Sequence, residues 1–187
     1  KPKEIGSKMS FIHITGSAGS GKTSVCEELV RRGYTAFSAD EDGISSFVEN
    51  ETGEASKFGE DTRGEEWYAK NSWNMNRRKV EEAAALAGPG KPVFLCGCAS
   101  NDTDMYDIVT KVICLVAPKE VVEHRLATRT NNDYGKSDFE LKQVLEWMPR
   151  LEKQERERGS FIVDASQPLE NVVDEILRLT TTLNKEI

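Results

Sequence analysis

The sequence lacks the features that mark membrane, exported and nucleic-acid-binding proteins. No apolar run approaches the roughly 18–20 residues that a helix needs to cross a bilayer, and segment 1–10 is a polar tail without the apolar stretch of a signal peptide. Basic residues number 25 against 32 acidic ones, for a net charge of −7, and they form no long Lys/Arg cluster. Because such a chain would hold a phosphate polymer poorly, we do not expect a nucleic acid as partner. Because it lacks a long apolar run, we do not expect a membrane either.

Cysteine is also scarce: the 187 residues include only Cys26, Cys96, Cys98 and Cys114. A chain of this length builds one core without disulfides. The C-x-C spacing and the presence of only two histidines disfavour a zinc site. We therefore predict buried thiols in a reducing cytoplasm.

Short apolar runs alternate with helical patterns along the chain. Five runs, most of them continuous, predict strands of a parallel sheet that is covered on both faces: residues 11–14, 34–37, 93–96, 112–116 and 161–163. Helical spacing predicts residues 23–32, 77–87, 119–128, a segment opened by a capping box at Ser137, and a last segment with Val172, Val173, Ile176 and Leu177. Pro149 is expected to kink or end the fourth helix. The alternation predicts a three-layer α/β fold, with residues 11–187 as a single domain.

Residues 43–76 interrupt this alternation. They hold a turn signal at residues 50–53 and the aromatic side chains of Phe58, Trp67, Tyr68 and Trp73. Long insertions are often functional, so we expect residues 43–76 to bind a substrate. The two tryptophans would either stack on a planar group or only pack the insertion.

The strongest signal is a glycine-rich motif between the first predicted strand and the first predicted helix. It matches G-x-x-x-x-G-K-[ST] without exception, as Gly16, Ser17, Ala18, Gly19, Ser20, Gly21, Lys22 and Thr23. The loop amides and the helix N-terminus would form a nest for the phosphates of ATP. Lys22 would contact the β- and γ-phosphates, Thr23 would bind Mg²⁺, and Ser24 would also contact the nucleotide. The dinucleotide fingerprint G-x-G-x-x-G is not present in this order.

Polar residues follow the second and third predicted strands, at the edge where open α/β sheets bind ligands. Asp40 and Asp42 would orient or deprotonate an attacking hydroxyl, and Asp40 would hold Mg²⁺ through water, unless both only cap an acidic turn. Gly97 would let a substrate approach the backbone, and Asn101 would hydrogen-bond it. The third strand lacks a terminal acidic residue of Walker B type, which argues against a motor ATPase, and the absence of Asn-Lys-x-Asp disfavours a GTPase.

Two arginines follow the fourth predicted strand. Arg125 and Arg129 are four residues apart, so we expect them to share a helix face and to neutralise charge on a transferring phosphoryl group. The polar, turn-prone segment 130–137 would form a short lid. Arg125 would also contact the nucleotide. Pro168, which follows the fifth predicted strand, would contact the base of that nucleotide.

These motifs resemble those of the P-loop kinases that include nucleoside monophosphate, shikimate and gluconate kinases. The resemblance covers most of residues 9–180 and is closest to a set of small bacterial ATP-binding proteins, whose lid pattern Arg-Leu-x-x-Arg-Thr-x-Asn-x-Tyr/Phe-Gly-Lys is matched by residues 125–136. It implies the P-loop NTPase fold with a five-stranded parallel sheet in the order 2-3-1-4-5. It also implies a mobile lid and phosphoryl transfer from ATP, with Mg²⁺, to a small-molecule acceptor.

The acceptor is where the sequence departs from those families. Gly97, Cys98 and Ala99 stand where shikimate kinases carry three glycines, and the lid is shorter than in adenylate kinases. Candidate acceptor-binding arginines, with no motif to fix them, are Arg63, Arg77 and Arg78. We predict a cytoplasmic kinase, monomeric or homodimeric, in which Lys22, Asp40, Arg125 and Arg129 are catalytic. A nucleoside or nucleoside monophosphate is the first choice of acceptor. A sugar acid or cyclic hydroxy acid is the alternative, and a non-catalytic ATP sensor is the second hypothesis.

Overall fold

The computed structural model describes residues 9–56 and 64–181. Most of the predicted tail at residues 1–10, together with Phe58 and Arg63, lies outside the described residues. The elements are β1 (Phe11–Gly16), α1 (Lys22–Arg31), β2 (Thr35–Ser38), β3 (Ser45–Glu49), α2 (Glu65–Lys70), β4 (Asn71–Met75), α3 (Arg77–Ala84), β5 (Val93–Cys96), β6 (Lys111–Val116), α4 (Lys119–Thr128), α5 (Asp138–Glu157), β7 (Phe161–Asp164) and α6 (Leu169–Thr181). Among these described helices, none combines the length and the apolar character that crossing a membrane requires.

Five strands form one parallel sheet with β1 at its centre. The order is β2-β5-β1-β6-β7, and each neighbouring pair is parallel. Since β3 and β4 belong to a separate sheet, this is the order 2-3-1-4-5 of the five strands that the sequence predicts, and the predicted fold class is confirmed. Parallel strands end at the same edge, so the loops after β1, β2, β5 and β7 meet on one side of the molecule.

Helices cover both faces of the sheet. On one face, Val25 and Leu29 of α1 and Val173 of α6 pack against apolar residues of the strands, including Ile12 and Phe94. On the other face, a second cluster joins α3 to β1 and β5, with the buried side chains of Phe11, Val80, Ala83, Val93 and Leu95. Successive strand residues therefore serve opposite cores, which explains why the strands are apolar throughout rather than alternating.

The insertion contains a two-stranded sheet that the sequence does not predict. Strands β3 and β4 pair antiparallel, with Phe47 opposite Trp73. The predicted turn at residues 50–53 is confirmed, and the Gly53 amide donates to the Glu49 carbonyl at 2.8 Å. Three of the five residues in each strand are Ser, Asn or Glu, so neither has the β-branched, alternating pattern by which a short strand is recognised.

Helix α5 does not end at the proline within it. It continues through Pro149 to Glu157, with Val144 and Leu151 buried on the two sides of the proline. Packing of these residues therefore outweighs the hydrogen bond that a proline removes. Ser137 caps the helix as predicted, since its side-chain oxygen accepts from the Glu140 amide at 3.2 Å.

Candidate active site

An open cleft of about 1700 Å³ lies at the carboxyl edge of the parallel sheet. The glycine-rich loop and the start of α1 line one part of it. The β3–β4 hairpin and α2 line the opposite part, and residues around Arg129 and Tyr134 lie between them. The predicted phosphate loop, insertion and lid thus border one cavity.

Two glycines fix the path of the phosphate loop. A Cβ atom on Gly16 would lie 2.7 Å from the Leu115 carbonyl oxygen and 2.6 Å from the Ser20 hydroxyl, so no larger residue fits there. Gly21 has a φ of 98° and is the N-cap of α1, a left-handed conformation that residues with a side chain rarely adopt. The loop can therefore turn directly into the helix.

Lys22 lies within the curve of this loop. Its Nζ donates to the carbonyls of Gly16 and Ser17, both at 2.7 Å, and lies 3.5 Å from the Ser20 hydroxyl. The amides in the first turn of α1, including those of Thr23 and Ser24, have no acceptor within the helix. Residues 18–24 all border the cleft, so a lysine, a helix N-terminus and a narrow backbone cradle fit the phosphates of a nucleotide.

Arg125 joins the phosphate loop to the loop after β7. One guanidinium nitrogen donates to the carbonyls of Gly19 and Ser20 at 3.4 and 3.3 Å, and the other donates to the Ala165 carbonyl at 2.7 Å. The Arg125 side chain borders the cleft beside the phosphate loop.

Arg129 is the C-cap of helix α4, and its amide donates to the Arg125 carbonyl at 3.0 Å, so it keeps the predicted four-residue relation to Arg125. Helix α4 ends at Thr128, and Arg129 is extended with a ψ of 146°. Its guanidinium donates to the Tyr134 carbonyl, while its Nε is buried without a hydrogen-bond partner in the described part of the chain. Burial lowers the pKa of Arg129, and the negative charge of Asp40 acts in the opposite direction. The two arginines border the same cleft, and the chain leaves the direction of α4 only after Arg129.

The two carboxylates after β2 have different surroundings. Asp40 borders the cleft, and its Oδ1 accepts from the indole Nε1 of Trp73 at 3.1 Å. The Asp42 Oδ2 accepts from the Ser38 amide at 2.8 Å, which closes the turn after β2, and Asp42 does not border the cleft. The described residues include no cluster of three His, Cys, Asp or Glu side chains suited to a metal. A magnesium ion would therefore be held by Thr23, by Asp40 through water, and by phosphate oxygens, which is the sparse protein coordination that Mg²⁺ accepts.

Gly16 and Ser17, at the start of the phosphate loop, do not border the cleft, and neither do three other predicted residues, which make structural contacts. Asn101 uses its amide on the backbone of Met75, accepting from the amide at 2.8 Å and donating to the carbonyl at 3.1 Å. A Cβ on Gly97 would lie 2.4 Å from the Ala39 Cβ, so close packing accounts for this glycine. The Pro168 carbonyl accepts the first amides of α6, and the neighbouring Gln167 borders the cleft instead.

The sequence gives no signal for Asp102, which the structure brings to the cleft. Asp102 is buried in a 3₁₀ turn, where its oxygens accept from the Ala99 amide at 2.8 Å and the Thr15 hydroxyl at 3.3 Å. Burial raises the pKa of this carboxyl, and it raises the pKa of the neighbouring Cys98 thiol to about 12. An acidic group thus lies beside the phosphate loop although β5 itself ends without one, because the turn folds back toward β1.

The aromatic side chains of the insertion pack mainly on one another. The Phe47 ring lies 4.8 Å from Trp67 and 4.7 Å from Trp73, both edge to face. Phe47, Tyr68 and Trp73 also border the cleft. The cluster therefore forms the core of the insertion and presents part of its aromatic surface to the cavity.

Comparison with known proteins gives a family and a fold. A family model described as an AAA domain matches residues 12–160. No curated protein sequence matches the chain. The gluconokinase from Sinorhizobium meliloti 1021 aligns with 23% identity over 91% of each chain, with a TM-score of 0.51.

Two further structures align over most of their length. The shikimate kinase from Acinetobacter baumannii, in complex with shikimate, has 17% identity over 96% of this chain and 97% of its own, with a TM-score of 0.60. The deoxyadenosine kinase from M. mycoides has 14% identity over 92% of this chain and 100% of its own, with a TM-score of 0.54. These likenesses show that the chain has the P-loop kinase fold.

Proposed function

Because the chain belongs to the AAA domain family and has the P-loop kinase fold, we propose that it transfers a phosphoryl group from ATP, with Mg²⁺, to a small-molecule acceptor. The observation that carries this proposal is the shared cleft. The Lys22 loop borders it on one side, and Asp40 and Arg129 border it on the side of the insertion. A phosphate donor and a second substrate would thereby meet in one cavity.

The nucleotide side acts by positioning. The amides of residues 18–24 and the Lys22 ammonium would hold the β- and γ-phosphates, and Arg125 would neutralise charge on them. ATP would supply the transferable γ-phosphoryl group, and Thr23 would hold a magnesium ion that neutralises charge on the phosphates. Lys22 already lies against the loop carbonyls, so it needs only a side-chain movement to reach a phosphate.

Transfer requires a hydroxyl group in line with the γ-phosphorus. A bond forms between the acceptor oxygen and that phosphorus, the bond to the bridging oxygen breaks, and ADP leaves with the electron pair. Asp40 would orient the hydroxyl and take its proton, while Arg129 would stabilise the charge on the transferring group. Trp73 holds one oxygen of Asp40, which limits its rotation.

The β3–β4 hairpin and α2 border the part of the cleft that we call the acceptor side. Its lining favours an uncharged hydroxyl compound with a planar group. The hairpin contributes Ser46, Ser72 and aromatic surface from Phe47 and Trp73. Three described arginines border the cleft: Arg125 is bonded to the phosphate loop, Arg158 pairs with Glu155 at 2.6 Å, and Arg129 is already used in the transfer step. Two other arginines that the sequence offered as candidates pair elsewhere: Arg77 with Glu81 and Asp107, and Arg78 with Glu82.

We therefore propose a nucleoside as the acceptor, ahead of its monophosphate, with a sugar acid or cyclic hydroxy acid as the alternative. The names of the similar structures cover both classes, a deoxyadenosine kinase on one side and a gluconokinase and a shikimate kinase on the other. A cytoplasmic location suits an enzyme with the free, buried thiols of Cys26, Cys96 and Cys114.

The test is an acceptor screen that measures ADP release from ATP and Mg²⁺. Each nucleoside is paired with its monophosphate, and each polyol with the corresponding acid, so that the members of a pair differ by one anionic group. We expect acceptor-dependent ADP release with a nucleoside and none with the Lys22→Ala variant. ATP binding without stimulation by any acceptor would contradict the kinase proposal and support the sensor hypothesis.

A further inference from the structure

We propose that Tyr68 and Glu140 are positioning residues, which hold the lid and, through it, Arg129 in place over the acceptor side of the cleft. The inference rests on the proposed function, because it assigns a purpose to a contact between the insertion and the lid. Glu140 is the acidic residue of the predicted capping box and Tyr68 is one of the aromatic residues of the insertion, and neither is used in the transfer step.

Glu140 is a buried carboxylate that joins two segments to α5. It lies in the first turn of that helix, and 2% of its surface is exposed. Its Oε1 accepts from the Tyr68 hydroxyl of α2 at 2.7 Å, and its Oε2 accepts from the Gly135 amide of the lid at 2.9 Å. Hydrogen bonds to a charged, buried acceptor are stronger than neutral ones, and a missing donor leaves the charge poorly compensated.

The lid end of this contact leads directly to Arg129. The residue before Gly135 is Tyr134, whose carbonyl accepts from the Arg129 guanidinium. The Tyr134 carbonyl and the Gly135 amide belong to one planar peptide unit, so the Glu140–Gly135 hydrogen bond fixes the orientation of that carbonyl. The position of that carbonyl sets where the guanidinium lies.

The insertion end leads to the acceptor side of the cleft. Tyr68 belongs to α2, which borders the cavity with Glu65, Tyr68 and Ala69. The Tyr68 ring also lies 6.3 Å from Tyr134 and 6.0 Å from Phe139, so apolar contact reinforces the hydrogen bond. An acceptor that contacts α2 would thus affect the Tyr68 hydroxyl, which orders the lid. Arg129 would then be fully in place to stabilise the charge on the transferring group only when the acceptor is bound.

The chain contains a matched control for this contact. The Tyr106 hydroxyl donates to Glu155 at 3.1 Å, and Glu155 is 1% exposed and lies on the same helix α5. Tyr106→Phe therefore also removes a tyrosine hydrogen bond from a buried carboxylate of α5, one that is in addition paired with Arg158 at 2.6 Å. It does so without touching the insertion or the lid.

The first measurement is amide hydrogen exchange of segment 130–137 in the full chain. We expect Tyr68→Phe to accelerate exchange there by about tenfold or more, and Tyr106→Phe to leave it unchanged. Glu140→Gln, which keeps the shape but exchanges one acceptor for a donor, should accelerate it as well. Equal exchange in the two tyrosine variants would overturn the inference whether or not an acceptor has been found.

The second measurement is steady-state kinetics with the acceptor from the screen. We expect Tyr68→Phe to lower kcat for transfer by about tenfold with ATP affinity unchanged, and to raise acceptor-independent ATP hydrolysis relative to transfer. Transfer by Tyr68→Phe at the rate of Tyr106→Phe would overturn the positioning role while leaving the kinase proposal intact. Absence of transfer by the unmodified protein would instead count against the kinase proposal.

Discussion

At the scale of single residues, side chains of the same type divide between the cleft and the framework. Asp40 borders the cavity, whereas Asp42, two residues later, closes a turn with the Ser38 amide. Asn101 is polar and follows a strand, yet both ends of its amide are used on Met75. A sequence motif predicts the type of a residue and its approximate position in the fold. The hydrogen-bond partner of each polar atom, however, depends on which segments the fold brings together.

Arg129 provides the sharpest test at this scale. We expect Arg129→Ala to lower acceptor-dependent turnover by about 10²–10³-fold, because charge on the transferring group would lose its main partner on the acceptor side. ATP affinity, measured by calorimetry, should stay within several-fold. Arg78→Ala removes an exposed arginine paired only with Glu82 and is the control. Unchanged turnover in Arg129→Ala would remove this residue from the site.

Gly97 distinguishes packing from substrate approach. We expect Gly97→Ala to lower the free energy of unfolding by about 1–3 kcal/mol, since the new Cβ would overlap with Ala39. Gly88→Ala is the control, because a Cβ there meets nothing within 4 Å. Urea denaturation measures both. A variant that keeps full stability but loses acceptor affinity would restore the substrate-approach interpretation.

At the scale of elements, α1 and α6 are joined by a charged network. Glu28 accepts from Arg31 and Arg32, and Arg32 also pairs with Asp174 of α6. The hydrogen bonds from Arg31 and Arg32 lower the pKa of Glu28 from 4.5 to about 2. A carboxylate with a lowered folded-state pKa stabilises the fold above its unfolded pKa and loses this effect as the pH falls through the folded value.

Glu28→Gln should therefore show a pH-dependent effect on stability. The variant should be less stable than the unmodified chain at pH 6, and the difference should shrink as the pH falls from about 5 toward 2. Urea denaturation at several pH values measures this. Glu82→Gln, which removes an exposed pair, gives the background, and a difference between Glu28→Gln and the unmodified chain that stays constant with pH would contradict the assignment.

The elements also show where sequence reasoning succeeds. Most strands of the parallel sheet carry apolar residues on both faces, and the phosphate loop matches a contiguous motif, so each is recognisable from a local run of residues. The β3–β4 hairpin is held by pairing between distant segments, and its polar strands lack a local pattern. Asp102 and the Tyr68–Glu140 contact are invisible for the same reason, since each depends on where a turn or a helix is placed by the rest of the fold.

At the scale of the whole molecule, nucleotide binding should stabilise the fold. At a concentration of ATP and Mg²⁺ of about 100 times Kd, binding to the native state alone adds about 2.7 kcal/mol to the free energy of unfolding. We expect an increase in Tm for the unmodified chain and none for Lys22→Ala. The absence of any thermal shift with a magnesium–purine triphosphate would remove the foundation of the functional proposal.

Because Trp73 is hydrogen-bonded to Asp40, we expect its fluorescence to report ligand binding in the cleft. Indole emission responds to the charge and polarity around Nε1, and here that nitrogen donates to the carboxylate proposed to meet the acceptor. The chain has two other tryptophans, Trp67 and Trp147, so Trp73→Phe identifies which part of the emission comes from this position. Candidate ligands can therefore be titrated by fluorescence without a label, a coupled assay or turnover.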